Sequence, residues 1–345
     1  MAEGVASGGA PGDVGAEPSQ TIRPRSRGGI SRTAIAVIVA VVAVGGGTVA
    51  ALHYLAPAPN ASGHSGVVEV VAAENFWGSL VAQLGGSHVH VLSIVSDPNA
   101  DPHEYESNTS DAVAVANAQF VIENGDGYDA WCAQLISASN SPGQVVLNVA
   151  NLLGIPAGSN PHFWYGQSYV LRVVGAMYTG LVQVDPTDRG YFHSQYAALN
   201  ASLAPVWGQE AYIDAHWGSG QPNVSARAEV ASTESIFAYM ANSTGLDLVS
   251  PYAFMKAVAE GYDPPSQSIA EFQNQLEGGN VTVLVYNEQT VTPLTQEMKT
   301  IATQHNVSVI GVTETIQPPS ETFQFWMAAE LASLQNGLNQ AALGQ

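Results

Sequence analysis

Apolar positions along most of this chain fall into two alternating patterns, short β-branched runs and stretches with helical spacing. Residues 66–73 predict a strand, and 76–84 a helix closed by Gly85-Gly86. A second strand is expected over 89–95, a short helix over 110–118, a third strand over 118–124, a helix over 128–137 and a fourth strand over 145–149. Helical spacing then runs from 167 to about 181. Asp185-Pro-Thr-Asp starts a further helix to about Trp207, with proline at its first position and no strand beside it. Beyond Gly218-Ser-Gly-Gln-Pro the alternation resumes. Strands are expected over 226–231, 281–286 and 307–312, with helices over 235–242, 291–304 and 321–340. This βαβα order predicts an α/β fold: two lobes with parallel sheets joined by one long helix. The lobes are expected over 67–184 and 211–345, with the linking helix over 185–210 between them. A ligand is expected in the cleft, outside the carboxyl ends of the strands.

The first 66 residues follow neither pattern. Residues 1–32 are rich in Gly, Pro, Ser and Ala and predict a disordered tail. Residues 33–55 contain an uncharged stretch of about the 20 residues a membrane-spanning helix needs, with 56–66 as a linker. Arg23, Arg25, Arg27 and Arg32 precede it, which places the tail in the cytoplasm and the rest of the chain outside. A retained anchor is preferred over a cleaved signal peptide, and either one exports the body.

Charge narrows the function classes. The 345 residues carry 9 Lys and Arg against 29 Asp and Glu, and only 11% are charged. Four of those nine bases precede residue 60, so the exported body is strongly acidic and excludes nucleic-acid binding. So few bases on an exported domain also suggest maximal stability below neutral pH. The single cysteine, Cys132, rules out an intrachain disulfide and Cys-based metal clusters, and reads as a packing thiol.

Two of the nine histidines stand in unusual settings. His103 lies in Asp101-Pro-His-Glu-Tyr-Glu after a predicted strand, and His162 in Asn160-Pro-His-Phe-Trp before a helix. A proline before each fixes the local backbone and helps to aim the imidazole. As a pair at the ends of successive α/β units they point to metal ligation.

Here the chain resembles a known family, the metal-binding solute-binding proteins of zinc and manganese ABC importers (family 9, cluster A-I), whose lobes are joined by a rigid helix. The resemblance rests on Val70-Val-Ala-Ala-Glu-Asn-Phe-Trp, Ser93-Ile-Val, the two Pro-His motifs, Ser110-Asp-Ala, Asn124-Gly and Asp185-Pro. It continues in Ser232-Thr-Glu-Ser-Ile-Phe-Ala-Tyr, Val285-Tyr-Asn-Glu-Gln and Thr313-Glu-Thr-Ile, and covers about residues 67–340. It implies a metal site of His103, His162, Glu234 and Glu314, a permease with its ATPase as partner, a divalent transition metal as cargo, and a monomer. Two imidazoles and two carboxylates neutralise a divalent cation and offer no soft thiolate.

Glu234 stands where the zinc-selective members resembled have a histidine, and the His-rich loop between the first two ligands is missing. Both departures tilt the expectation slightly towards Mn²⁺ over Zn²⁺. Glu314 is one methylene longer than the commoner Asp. Two other readings are carried: a surface adhesin on the same fold, and a metal-dependent hydrolase. Against the hydrolase, the chain has no His-Glu-x-x-His, Gly-x-Ser-x-Gly or P-loop motif. Among the other histidines, His88 and His90 read as one solvated strand face, His193 and His216 as surface residues, and His305 as a cation near a helix C-terminus. Asp101, Glu104, Tyr105 and Glu106 are candidates to orient His103.

Overall fold

The β-branched runs form strands that lie between helices. The structure, a computed structural model, describes residues 66–98, 102–139, 141–222 and 227–344. The first lobe begins with β1 (Val68–Glu74), α1 (Asn75–Gly85), β2 (Val89–Val95), α2 (Thr109–Asn117) and β3 (Phe120–Glu123). It continues with α3 (Ala130–Ser139), β4 (Val145–Asn148), α4 (Val149–Leu153) and α5 (Gln167–Val184). The helix α6 (Arg189–Trp217) then leads to β5 (Glu229–Ser232), α7 (Ala238–Ser243), β6 (Asp247–Leu248) and α8 (Tyr252–Ala259). The second lobe closes with α9 (Ser266–Glu277), β7 (Val281–Asn287), α10 (Pro293–Gln304), β8 (Ser308–Val312) and α11 (Phe323–Gly344).

Both sheets are parallel and share one order, β2-β1-β3-β4 and β6-β5-β7-β8. In each lobe the chain steps outward from the first strand, then crosses back over it. That reversal opens a crevice at the carboxyl ends, and it is there that the loops carrying the expected ligands emerge. Gly180 brings α5 down onto the first sheet: a Cβ built there would lie 2.5 Å from the Phe120 ring.

The long helix departs from expectation at its end. It passes Pro205 and runs ten residues beyond Trp207. Leu199, Leu203, Val206, Glu210 and Ile213 are its buried stripe, spaced by four and three. The packing of that stripe outweighs the backbone donor lost at Pro205. A glutamate in the stripe hides the apolar period from a sequence reading. The pattern reading also assigns nothing between 242 and 281, where β6, α8 and α9 lie, although Ile269, Phe272 and Leu276 carry helical spacing after Pro265. His88 lies in a 3-10 turn before β2 rather than on the strand, with Nδ1 2.5 Å from Asp188.

One apolar cluster runs through both lobes and the linking helix, from Val70, Phe76 and Phe120 through Leu203 and Ile213 to Val285, Ile310 and Trp326. Phe76 and Trp164 stack in it with ring centroids 4.0 Å apart. Cys132 is buried in a smaller cluster under α3, as a packing thiol requires. The expected tail, membrane-spanning segment and most of the linker lie outside the described residues. Among the described residues, no helix is long and apolar enough to cross a membrane.

Candidate metal centre

The four expected residues reach the crevice on short, rigid devices. His103 sits in the 3-10 turn Pro102–Glu104, its backbone constrained by a buried proline. His162 precedes a 3-10 turn whose Phe163, Trp164 and Tyr165 are all buried, so the loop is anchored immediately beyond the imidazole. Glu234 follows β5 in extended backbone, before the turn Ser235–Phe237. Glu314 follows β8 and is completely buried.

Their donor atoms converge. His103 Nε2 lies 3.4 Å from Glu314 Oε2, and His162 Nε2 lies 3.9 Å from that same oxygen. Glu234 Oε2 lies 4.0 Å from His162 Nε2. His103, His162 and Glu314 each present an atom within 4.8 Å of the others. His162 Nε2 and Glu234 Oε2 are buried without a hydrogen-bond partner, which native interiors rarely tolerate. They face each other at a distance too long for a hydrogen bond, but one a cation with ligand distances of about 2.0–2.2 Å can span.

Neighbouring groups aim these atoms. The Asn287 amide donates to Glu234 Oε1 at 3.1 Å and to Glu314 Oε1 at 2.8 Å, turning the Oε2 atoms inward. Thr290 donates to Glu314 Oε1 at 3.0 Å, and Tyr128 donates to Glu314 Oε2 at 2.9 Å. The Tyr128 ring also packs edge-on against His103 with centroids 4.6 Å apart. Asn160 lies 2.5 Å from His162 Nδ1. Of the expected orienting residues, Asp101 lies outside the described residues, and Tyr105 is turned away, donating to Asp111 at 2.9 Å. Asn160 and Asn287 lie within the motifs that carry the resemblance, yet nothing local marks them as orienting groups.

Electrostatics separates the members of the set. Burial pushes His162 down to about 3, assisted by His103 and opposed by Glu314, so the imidazole is neutral and its Nε2 lone pair is available. Burial first, and then the charge of Glu314, holds the Glu234 carboxyl well above its ordinary range. Burial also acts against ionisation of Glu314. The two histidines, Asn287 and Tyr128 outweigh it and hold that carboxyl below its usual value. Glu234 is therefore the carboxyl of the pair that holds a proton more tightly, and a divalent cation can replace that proton. Above the site a cleft of about 860 Å³ opens to solvent, with His103, Tyr128, Asn160 and Thr290 in its lining.

Residues 70–337 match the family described as ZnuA, zinc-uptake complex component A, periplasmic. The chain belongs to this family. Within it, the chain is 28% identical over 123 residues to the manganese-binding lipoprotein MntA of Halalkalibacterium halodurans, 34% of this chain and 40% of that protein. The matched stretches span 29%, 40% and 53% of the curated relatives' length. Among solved structures, the periplasmic zinc-binding protein TroA from Treponema pallidum superposes with TM-score 0.66 at 14% identity, covering 79% of this chain and 99% of that one. A ZnuA crystal structure gives 0.64 at 19%, with the same coverage. Identities this low establish the shared two-lobed fold and nothing finer.

Among the described residues, the remaining histidines stay outside the centre. His90 pairs with Glu69 at 2.8 Å on an exposed strand face, and His216 stacks on Tyr212 with centroids 3.9 Å apart. His193 is exposed on α6, and His305 caps the C-terminus of α10.

Proposed function

We propose that this protein is an extracytoplasmic solute-binding protein of an ABC metal importer. It captures one divalent transition-metal ion through His103, His162, Glu234 and Glu314 and hands it to a membrane permease driven by its ATPase. The observation that carries this reading is the buried pair His162 Nε2 and Glu234 Oε2, unpartnered and facing each other beside two further donors. A binding role is favoured over catalysis, since four protein ligands from two lobes leave little room for the open coordination position a catalytic metal keeps. Two carboxylate donors favour Mn²⁺ slightly over Zn²⁺. The likeness to a manganese-binding lipoprotein supports the same choice. In this reading the uncharged apolar segment within residues 33–55 tethers a monomer to the outer face of the membrane.

The test is metal analysis of the full-length protein after chelator stripping, followed by titration with Mn²⁺ against Zn²⁺. One equivalent is expected, with His103→Ala and His162→Ala each weakening binding more than about 100-fold, beyond the usual effect of losing an orienting group. His193→Ala is expected to bind as wild type. Stoichiometric metal absent from the wild-type protein overturns the reading.

A further inference from the structure

His162 and Glu314 arrive from different lobes, so the 3.9 Å between Nε2 and Oε2 depends on what ties their segments together. Tyr165 closes the 3-10 turn that follows His162. Its hydroxyl crosses to the second lobe, 2.8 Å from the carbonyl of Thr313, the residue before Glu314. The same hydroxyl lies 2.5 Å from Glu330 Oε2 on α11. Glu330 Oε1 in turn accepts the Thr313 backbone N–H at 2.9 Å, and the Thr313 hydroxyl lies 3.3 Å away. Trp326 donates its indole N–H to Thr313 Oγ1 at 2.9 Å. Thr313 is thus held at its N–H by Glu330 and at its C=O by Tyr165.

We propose that Glu330 is a positioning residue for the metal centre: with Tyr165 it forms a buried strut between the lobes that fixes the spacing of His162 and Glu314. This inference rests on the metal-binding reading above. Glu330 acts through Thr313, while the Tyr165 backbone N–H donates to the His162 carbonyl at 3.1 Å.

Hydrogen counting gives the strut its chemical form. Tyr165 has one hydrogen and two close acceptors. A protonated Glu330 resolves the shortage: its O–H goes to the Tyr165 oxygen, and the Tyr165 O–H goes to the Thr313 carbonyl. Burial lifts Glu330 to about 7, in the direction this form requires. An amide can reproduce it, because Nε2 donates where the carboxyl O–H does.

The experiment compares full-length wild type, Glu330→Gln, Glu330→Leu and Tyr165→Phe. Melting is followed on the metal-free proteins, and Mn²⁺ and Zn²⁺ affinities are measured well below the melting midpoints. Glu330→Gln is expected within about threefold of wild type. Glu330→Leu and Tyr165→Phe are expected to weaken binding about 10–100-fold, the usual range for losing a group that positions a ligand. The loss is expected to differ between the two ions, since a changed ligand spacing suits them unequally. A folded Glu330→Leu protein with wild-type affinity for both ions overturns the strut, even if its melting point falls. Should that variant not fold, Tyr165→Phe, which removes a single oxygen, decides by the same readout. Wild-type protein that binds neither ion overturns the metal-binding reading itself.

Discussion

The side-chain oxygen of Asn160 accepts the Nδ1–H of His162 at 2.5 Å. The orientation of the amide is fixed on both sides: Asn160 Nδ2 donates to the Ser235 carbonyl at 2.7 Å, and the His162 backbone N–H donates to Asn160 Oδ1 at 3.2 Å. With Oδ1 an acceptor only, the imidazole carries its hydrogen on Nδ1 and presents the Nε2 lone pair to the centre. Asn160→Ala is therefore expected to weaken metal binding about 10–100-fold while leaving all four ligands in place. Nitrogen chemical shifts of His162 give an independent check. A wild-type ring with its hydrogen on Nε2 contradicts the assignment.

Metal binding is expected to expel a proton. Glu234 is held well above the ordinary carboxyl range by burial and by Glu314, yet must be ionised to bind a cation. Affinity therefore rises with pH from the acid side until Glu234 ionises without help. His162 is already neutral at any pH above about 3 and adds no proton near neutrality. Calorimetry in two buffers of different ionisation heat is expected to show net proton release on metal binding. Glu234→Gln is expected to bind more weakly and release none. Wild-type binding without proton release contradicts this account.

Glu210 weakens the linking helix at neutral pH. It is buried on α6 and neither carboxyl oxygen has a hydrogen-bond partner. Burial raises it to about 8. Because the folded state holds this proton more tightly than the unfolded chain, its contribution is fully present below about pH 4.5 and declines as pH rises towards 8. Glu210→Met is expected to stabilise the metal-free protein by about 1–3 kcal/mol at pH 8 and by less at pH 5. Denaturant unfolding of both proteins at the two pH values measures this. An equal effect at both would show that the carboxyl does not titrate as described. Asp129, lifted to about 6 chiefly by burial, acts in the same direction, consistent with the sub-neutral optimum suggested by the composition.

Much of the fold was legible because strand and helix periods are local. The runs at 89–95, 281–286 and 307–312 and the helix at 167–181 appear in the structure with ends shifted by a few residues at most. The linking helix extends past its legible apolar period because Glu210 occupies a position where the stripe calls for an apolar side chain. The apolar spacing of α9 is diluted by polar residues and that of α8 spans only eight, and packing on Ala231 and Leu284 is what gives those faces a destination.

By itself the sequence determined the alternation of strands and helices, the acidity of the body and the two proline-histidine loops, since each is a property of neighbours along the chain. It also supplied, through family resemblance, the four residues whose donor atoms the structure brings together. Only the tertiary structure decided what orients them. Asn287 donates to Glu234 and Glu314 from 53 and 27 positions away, and Tyr128 reaches Glu314 across 186. Tyr165 meets Glu330 across 165. A hydrogen bond between segments so distant leaves no local period, charge run or turn signal. It exists only once two parallel sheets have turned their carboxyl ends towards one crevice.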